Sequence, residues 1–290
     1  MNNKKNQGAK LLGCYCEGLC THPQYRGAQA NTQGICTPKE FLNLLKRFPN
    51  VIKIITLAPE YSNCKEFDII AQEFEIIKAI GHSSATYEEA EHFMKNCDYK
   101  YTTHLYNRMT WMQKNEPGLV GASLLNDDVY VEIIPDFIHS RPEYVRLAIK
   151  AKPIEKIIFV TDSYKYAGTN FTGNTSFLGL DILINEKAAF LKNGNLAASL
   201  LTFDKIIKNI KSIDTISLDK LISTITLNPA TVLGIGDKKG LIQRNYDADI
   251  VIMNNDFDIL CTICDGNIQF NNIKGISIYE NEKSNSDNRY

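Results

Sequence analysis

The feature that most limits how this chain can fold is an alternation: between residues 11 and 163, short apolar, β-branched runs take turns with amphipathic stretches of helical period. Parallel neighbours in a sheet need a long crossover, usually a helix, so a repeated strand–helix pattern is the mark of a parallel α/β core. The pattern predicts strands over 11–16, 51–57, 76–81, 99–105, 128–134 and 156–161. Helix starts are written between them. Thr37-Pro38-Lys39-Glu40 puts proline at a first helical position, Thr86-Tyr87-Glu88-Glu89 has capping-box spacing, and a further helix is expected over 141–152.

After Asp162 the pattern changes. Runs over 177–184 and 187–191, followed by Asn193-Gly194, predict antiparallel strands and a turn; helices are expected over 200–210 and 217–227. Residues 248–253 and 260–270, with Asp265-Gly266 as a turn, read as a small β appendage, and the polar ends 1–10 and 277–290 read as disordered. A net charge of −1 provides no field to hold nucleic acid or an anionic membrane, which leaves a small molecule as the expected partner. No apolar run reaches the roughly 18 residues of a membrane span, and the start MNNKKNQGAK lacks the apolar stretch of a signal peptide, so a cytoplasmic protein is expected. The cysteines (Cys14, Cys16, Cys20, Cys36, Cys64, Cys97, Cys261, Cys264) are scattered through apolar runs and are read as reduced. The pairs Cys16/Cys20 and Cys261/Cys264 lack a second ligand pair at matching spacing, which favours buried strand cysteine over structural zinc.

Chemistry collects where the strands end. Glu17 closes the first run, Glu60 follows the second, His82 the third, His104 the fourth, Asp136 and His139 the fifth, and Asp162 the sixth. In a parallel α/β barrel those ends share one mouth, so residues distant in sequence meet there. Taken singly each has an ordinary explanation: a strand-end histidine is more often a hydrogen-bonded structural residue, Glu60 and Asp136 suit supporting or helix-capping roles, and Asp162 can cap a following helix. His92, in an amphipathic helix, is expected to face solvent, and His22 sits in a loop. Together, a carboxylate, two imidazoles and a further aspartate match a catalytic zinc site that keeps a position open for water.

These residues stand in a series of blocks. Gly81-His82-Ser83-Ser84-Ala85-Thr86-Tyr87, Thr103-His104-Leu105-Tyr106-Asn107, Glu116-Pro117-Gly118-Leu119-Val120-Gly121-Ala122, Asp136-Phe137-Ile138-His139 and Phe159-Val160-Thr161-Asp162 are similar, in this order, to those of the N-acetylglucosamine-6-phosphate deacetylases of the amidohydrolase superfamily. Leu196-Ala197-Ala198-Ser199, Leu227-Asn228-Pro229-Ala230 and Asp247-Ala248-Asp249-Ile250-Val251 support the resemblance. It implies a TIM-type (β/α)8 barrel over 11–235 with a remnant of a β-sandwich appendage over 236–276, one divalent ion, zinc, and a homodimer. It further implies Glu17, His82 and His104 as metal ligands, Asp162 as general base and acid, and Ala28, Asn107, Arg108, Asn115 and His139 as substrate-binding residues. The implied reaction removes the N-acetyl group of N-acetylglucosamine 6-phosphate in amino-sugar catabolism.

The chain departs from the family pattern at several places. Tyr15-Cys16-Glu17-Gly18-Leu19 stands where the family has His-x-Glu-Gly-Pro, Arg26-Gly27-Ala28-Gln29 where it has Lys-Gly-Ala-His, and Asn115 where it has an arginine. The first run resembles the family's third barrel strand, which predicts a barrel without its first two strands. Two other readings fit the same residues: a catalytically impaired metal- or partner-binding protein, and a related hydrolase of an unphosphorylated N-acetyl sugar or another amide.

Overall fold

The expected alternation folds as β1 (Cys14–Cys20), α1 (Pro38–Arg47), β2 (Ile52–Leu57), α2 (Lys65–Glu73), β3 (Ile77–Ile80), α3 (Tyr87–Asn96), β4 (Tyr99–Thr102), α4 (Gly118–Leu125), β5 (Tyr130–Ile133), α5 (Pro142–Ala151) and β6 (Ile157–Phe159). The strands pair in sequence order as one six-stranded parallel sheet. This computed structural model describes residues 8–29, 37–177 and 179–273; of the ends expected to be disordered, 1–10 and 277–290, residues 1–7 and 277–290 lie outside the described residues, as does Cys36.

Local chemistry sets the helix starts. Thr37 and Glu40 form a reciprocal capping box on α1, with Pro38 at the first helical position, and Thr86 and Glu89 form another on α3. Helix α4 has no polar face: Gly118 to Leu124 are all buried. Its entry is fixed by Glu116, whose Oε1 accepts from the backbone N–H of both Gly118 and Tyr87 at 2.8 Å. Ile55, Leu57, Ile80, Ile133, Ile157 and Phe159 fill the core from the strands.

Beyond β6 come β7 (Gly173–Phe177), β8 (Leu180–Ile184), β9 (Ala188–Leu191) and β10 (Leu196–Ser199), an antiparallel sheet in the order β10-β9-β8-β7. The single strand expected over 177–184 is therefore corrected to the closing residue of β7, a turn and β8. Gly179, with φ +78°, reverses the chain inside an apolar run that carries no other break. The helices α6 (Phe203–Ser212), α7 (Leu218–Ile225) and α8 (Leu227–Val232) follow. Asn228 docks α8 against the sheet, its Nδ2 donating to the carbonyls of Ile154 and Ile157.

Two compact units divide the chain, one over 11–241 and one comprising the N-terminal residues up to 10 and those from 242 onward. The latter holds β11 (Ile250–Met253), β12 (Ile259–Cys264) and β13 (Asn267–Asn271), an antiparallel meander turning at Asp265-Gly266, both at positive φ. Among the described residues no helix is long and apolar enough to cross a membrane.

The reading of all cysteines as reduced is overturned: Cys20 and Cys64 form a disulfide. Cys20 ends β1, Cys64 lies in the helical turn Ser62–Cys64 after β2, and the parallel pairing of those strands brings the two Cα atoms to 5.4 Å. A separation of 44 residues hides this adjacency in the sequence. Of the other described cysteines, Cys14, Cys97, Cys261 and Cys264 are free thiols, Cys261 being buried.

Candidate metal centre

Glu17 stands on an irregularity of β1. Cys16 lies opposite Ile55 and Cys20 opposite Leu57, so the strand spends more residues than its partner, and Gly18 takes φ +93°. A bulge of this kind bends the strand and re-aims its side chains. It also moves the observed end of β1 to residue 20, past the expected 16. His82 follows β3 with φ 48°, His104 follows β4 with φ 29°, and Asp162 follows β6 with φ 42°. Left-handed backbone costs a residue with a Cβ on the order of 1–2 kcal/mol. Three such residues at the ends of β3, β4 and β6 are the strain expected of a site whose side chains must turn inward.

The three expected ligands meet. His82 Nε2 is 2.8 Å and His104 Nε2 3.7 Å from Glu17 Oε1, the two imidazole Nε2 atoms are 2.9 Å apart, and one donor atom from each residue lies within 4.8 Å of the others. Both histidines are buried. His82 Nδ1 is 2.8 Å from the Tyr25 carbonyl, to which it can only donate. The Nε2 of a neutral His82 then points a lone pair at a carboxylate oxygen that also only accepts, a juxtaposition that needs a proton or a cation between the two atoms. His104 Nδ1 is buried without a hydrogen-bond partner. The donor set and its crowding fit a divalent ion of zinc type.

Electrostatics agree. Burial lowers the His104 pKa, but Glu17 outweighs it, with Asp162 and Glu132 adding, and the imidazole is raised to about 9. Burial raises the Glu17 pKa, and the charges and hydrogen bonds of His104 and His82 reverse this, holding it well below the ordinary carboxylate range. Asp162 is raised, first by the protein mass crowding its carboxyl and then by Glu17, while His104, His139 and His82 oppose. A spot that keeps a proton on imidazole to about pH 9 is one whose surroundings favour positive charge.

A supporting layer holds these groups. Gln29 Nε2 donates to Glu17 Oε1 at 2.7 Å. Glu60 accepts from Ser83 Oγ at 2.8 Å and from Ser84 N–H at 2.6 Å, pinning the backbone after His82. Buried Glu132, its pKa pushed up to about 7 by desolvation, accepts from Tyr101 Oη at 2.8 Å and from the N–H of His104 at 3.1 Å. Tyr15, two residues before Glu17, shares a closed hydroxyl triangle with Thr56 and Thr103. Asp136 accepts from the N–H of His139 and meets its Nδ1 at 2.7 Å. Glu60 and Asp136 thus support neighbouring residues, and neither caps a helix; no helix follows Asp162 before β7.

The expected substrate residues are placed unequally. Asn107 Nδ2 donates to the carbonyls of His104 and Leu105, tightening the turn after His104. Arg108 lies across Gly27, beside Ala28. Asn115 is exposed at the tip of the turn closed by the Gln113–Glu116 bridge. His22 lies nearer the site than its loop position suggested, its N–H donating to the His82 carbonyl, whereas His92 is exposed on α3 as expected. Sequence reasoning missed Tyr25 and Glu132. The first acts through its backbone carbonyl, which no residue type announces, and the second points inward from an otherwise apolar strand, which was a signal.

The amidohydrolase family profile matches residues 75–269. The chain is 34% identical to the N-acetylglucosamine-6-phosphate deacetylase of Bacillus subtilis (strain 168), over 91% of this chain and 66% of that protein. It is also 34% identical to the deacetylase of the same name from Lysinibacillus sphaericus, over 91% of this chain and 68% of that one. The crystal structure of N-acetylglucosamine-6-phosphate deacetylase from Thermotoga maritima superimposes with a TM-score of 0.81 at 32% identity, over 90% of this chain and 70% of its own. The chain thus spans about two thirds of the length of these curated relatives. Its sheet and helices are those of a TIM-type barrel architecture. Sequence and architecture agree that this chain belongs to the metal-dependent amidohydrolase family, in the group of the N-acetylglucosamine-6-phosphate deacetylases.

Proposed function

We propose that the protein hydrolyses the N-acetyl group of N-acetylglucosamine 6-phosphate, giving glucosamine 6-phosphate and acetate, in amino-sugar catabolism in the cytoplasm. The observation that carries this reading is the convergence of Glu17, His82 and His104 within 4.8 Å, electrostatically coupled to Asp162, in a chain 34% identical to deacetylases of that name. Glu17, His82 and His104 would hold one divalent cation, zinc. Such an ion, when bound, polarises an amide carbonyl and lowers the pKa of water to about 7.

The chain's own residues do the rest. Asp162 takes a proton from the attacking water and passes it to the departing amine, a transfer that its raised pKa suits. His139, oriented by Asp136 at Nδ1, offers its Nε2 to the substrate. Asn107, Ala28 and Arg108 line the approach from the loops after β4 and β1. The protein is further proposed to be a homodimer, in which a second copy would cover the exposed Trp111, Met112, Tyr144 and Leu147. Asn115, neutral and exposed, favours a second reading in which the sugar is unphosphorylated.

The test is acetate release from N-acetylglucosamine 6-phosphate by zinc-loaded protein, beside Asp162→Asn and His104→Ala. Turnover is expected to fall by about 100-fold or more in Asp162→Asn with zinc retained, and zinc itself to be lost in His104→Ala. A folded, zinc-loaded protein that releases no acetate would remove the deacetylase reading. Competition between phosphorylated and free sugar decides the second reading.

A further inference from the structure

We propose that Arg108 is the anion-recognising residue of this site, the cation by which it selects a phosphorylated N-acetyl sugar over the free sugar. The inference deepens the deacetylase reading and rests on it for the identity of the sugar.

Arg108 stands where three site loops meet. It closes the turn that begins at His104, and its carbonyl accepts from the N–H of Ser83, the residue after His82, at 3.3 Å. Met109, next along, pairs with Ser83 as an isolated bridge. Its side chain crosses to the loop that carries Tyr25, the acceptor for His82, and Gln29, the donor to Glu17. A Cβ built at Gly27 would fall 2.7 Å from Arg108 Nε and 3.1 Å from both Cδ and Cγ, and Gly27 itself sits at φ +62°. Glycine at this position leaves the space across which the stem of Arg108 lies.

The charged end is uncommitted. Arg108 is half-buried, and no carboxylate pairs with its guanidinium among the described residues. Its own backbone is held at φ +51°, a conformation that costs an arginine on the order of 1–2 kcal/mol. A guanidinium whose stem lies across Gly27 and whose planar fork has no carboxylate partner can make bidentate contact with phosphate. The alternatives are weak. On the loops 22–29, 82–84 and 104–109 the only other basic side chain is Arg26, which is exposed, and Asn115 brings no charge.

The experiment measures calorimetric affinities of zinc-loaded protein for N-acetylglucosamine 6-phosphate and for N-acetylglucosamine, in an Asp162→Asn background so that binding is read without turnover. The readout is the ratio of the two affinities. With Arg108 present the phosphorylated sugar should bind at least about tenfold more tightly. Arg108→Ala should bring the ratio close to unity, Arg108→Lys should keep part of it, and inorganic phosphate should compete only where the cation remains. A ratio unchanged in Arg108→Ala, a ratio near unity already in the parent, or an equal loss of both sugars would each overturn the proposal. An Arg108-dependent ratio without acetate release from the protein bearing Asp162 would leave Arg108 in place and remove the deacetylase reading. Acetate release with a ratio indifferent to Arg108 would do the reverse.

Discussion

Glu17 Oε1 carries two close contacts at once, His82 Nε2 at 2.8 Å and Gln29 Nε2 at 2.7 Å. The Gln29 amide lies in the space that Gly18 leaves, where a Cβ would come to 2.6 Å from its Oε1, so Gly18 is what lets Gln29 reach and orient the carboxylate. Residues that orient a metal ligand are commonly worth about 10–100-fold in metal affinity. Gln29→Leu is therefore expected to weaken zinc binding by about tenfold in a chelator competition, with the circular dichroism spectrum unchanged. Undiminished affinity would reduce Gln29 to a space-filling role. The sequence places the proposed ligands at strand ends but is silent on what holds them. Tyr25 reaches His82 through a carbonyl across 57 residues, and Glu132 reaches the His104 N–H across 28, contacts that no spacing rule encodes.

At the scale of elements, the helices were the most legible part. Their starts are local chemistry: Thr86 and Glu89 satisfy each other's backbone groups within one turn of α3, so four residues suffice to read the motif. Thr86→Ala should lower stability by about 1 kcal/mol, seen as an earlier urea midpoint, without altering zinc stoichiometry, because the side-chain hydrogen bonds of Thr86 stay within the first turn of α3. Glu60 presents the opposite case. It pins that same loop to the end of β2, so Glu60→Ala should weaken zinc binding by about tenfold while the helix persists, and equal affinity would show that the loop holds itself. The elements that escaped the sequence are those defined by a partner strand. The irregularity at Gly18 exists only against β2, and the turn at Gly179 sits in an apolar run whose period alone cannot separate β7 from β8.

For the whole molecule, two features tie distant parts together and both are measurable as stability. The Cys20–Cys64 link closes a 44-residue loop around α1, and the chain-entropy relation assigns such a loop about 4 kcal/mol. Reduction, or Cys20→Ser, should then shift unfolding by about 2–4 kcal/mol, and the variant should no longer respond to reductant. The second feature is the charge cluster, which links folding to pH and to metal. His104 has its folded pKa raised from 6.5 to about 9, so the metal-free fold binds a proton more readily than the unfolded chain does. The stabilisation this provides is complete below pH 6.5 and is lost as pH rises through about 9. Glu132, raised from 4.5 to about 7, acts in the same direction over a lower window. Metal-free protein should therefore melt at progressively lower temperature from pH 6.5 to 9. A cation competes with the proton on His104, so zinc should release that proton on binding, and the rise in melting temperature that zinc gives should grow over the same interval. If the zinc-induced rise were flat with pH while the metal-free protein lost stability, the proton and the metal would be binding at different places, and His104 would no longer qualify as a ligand.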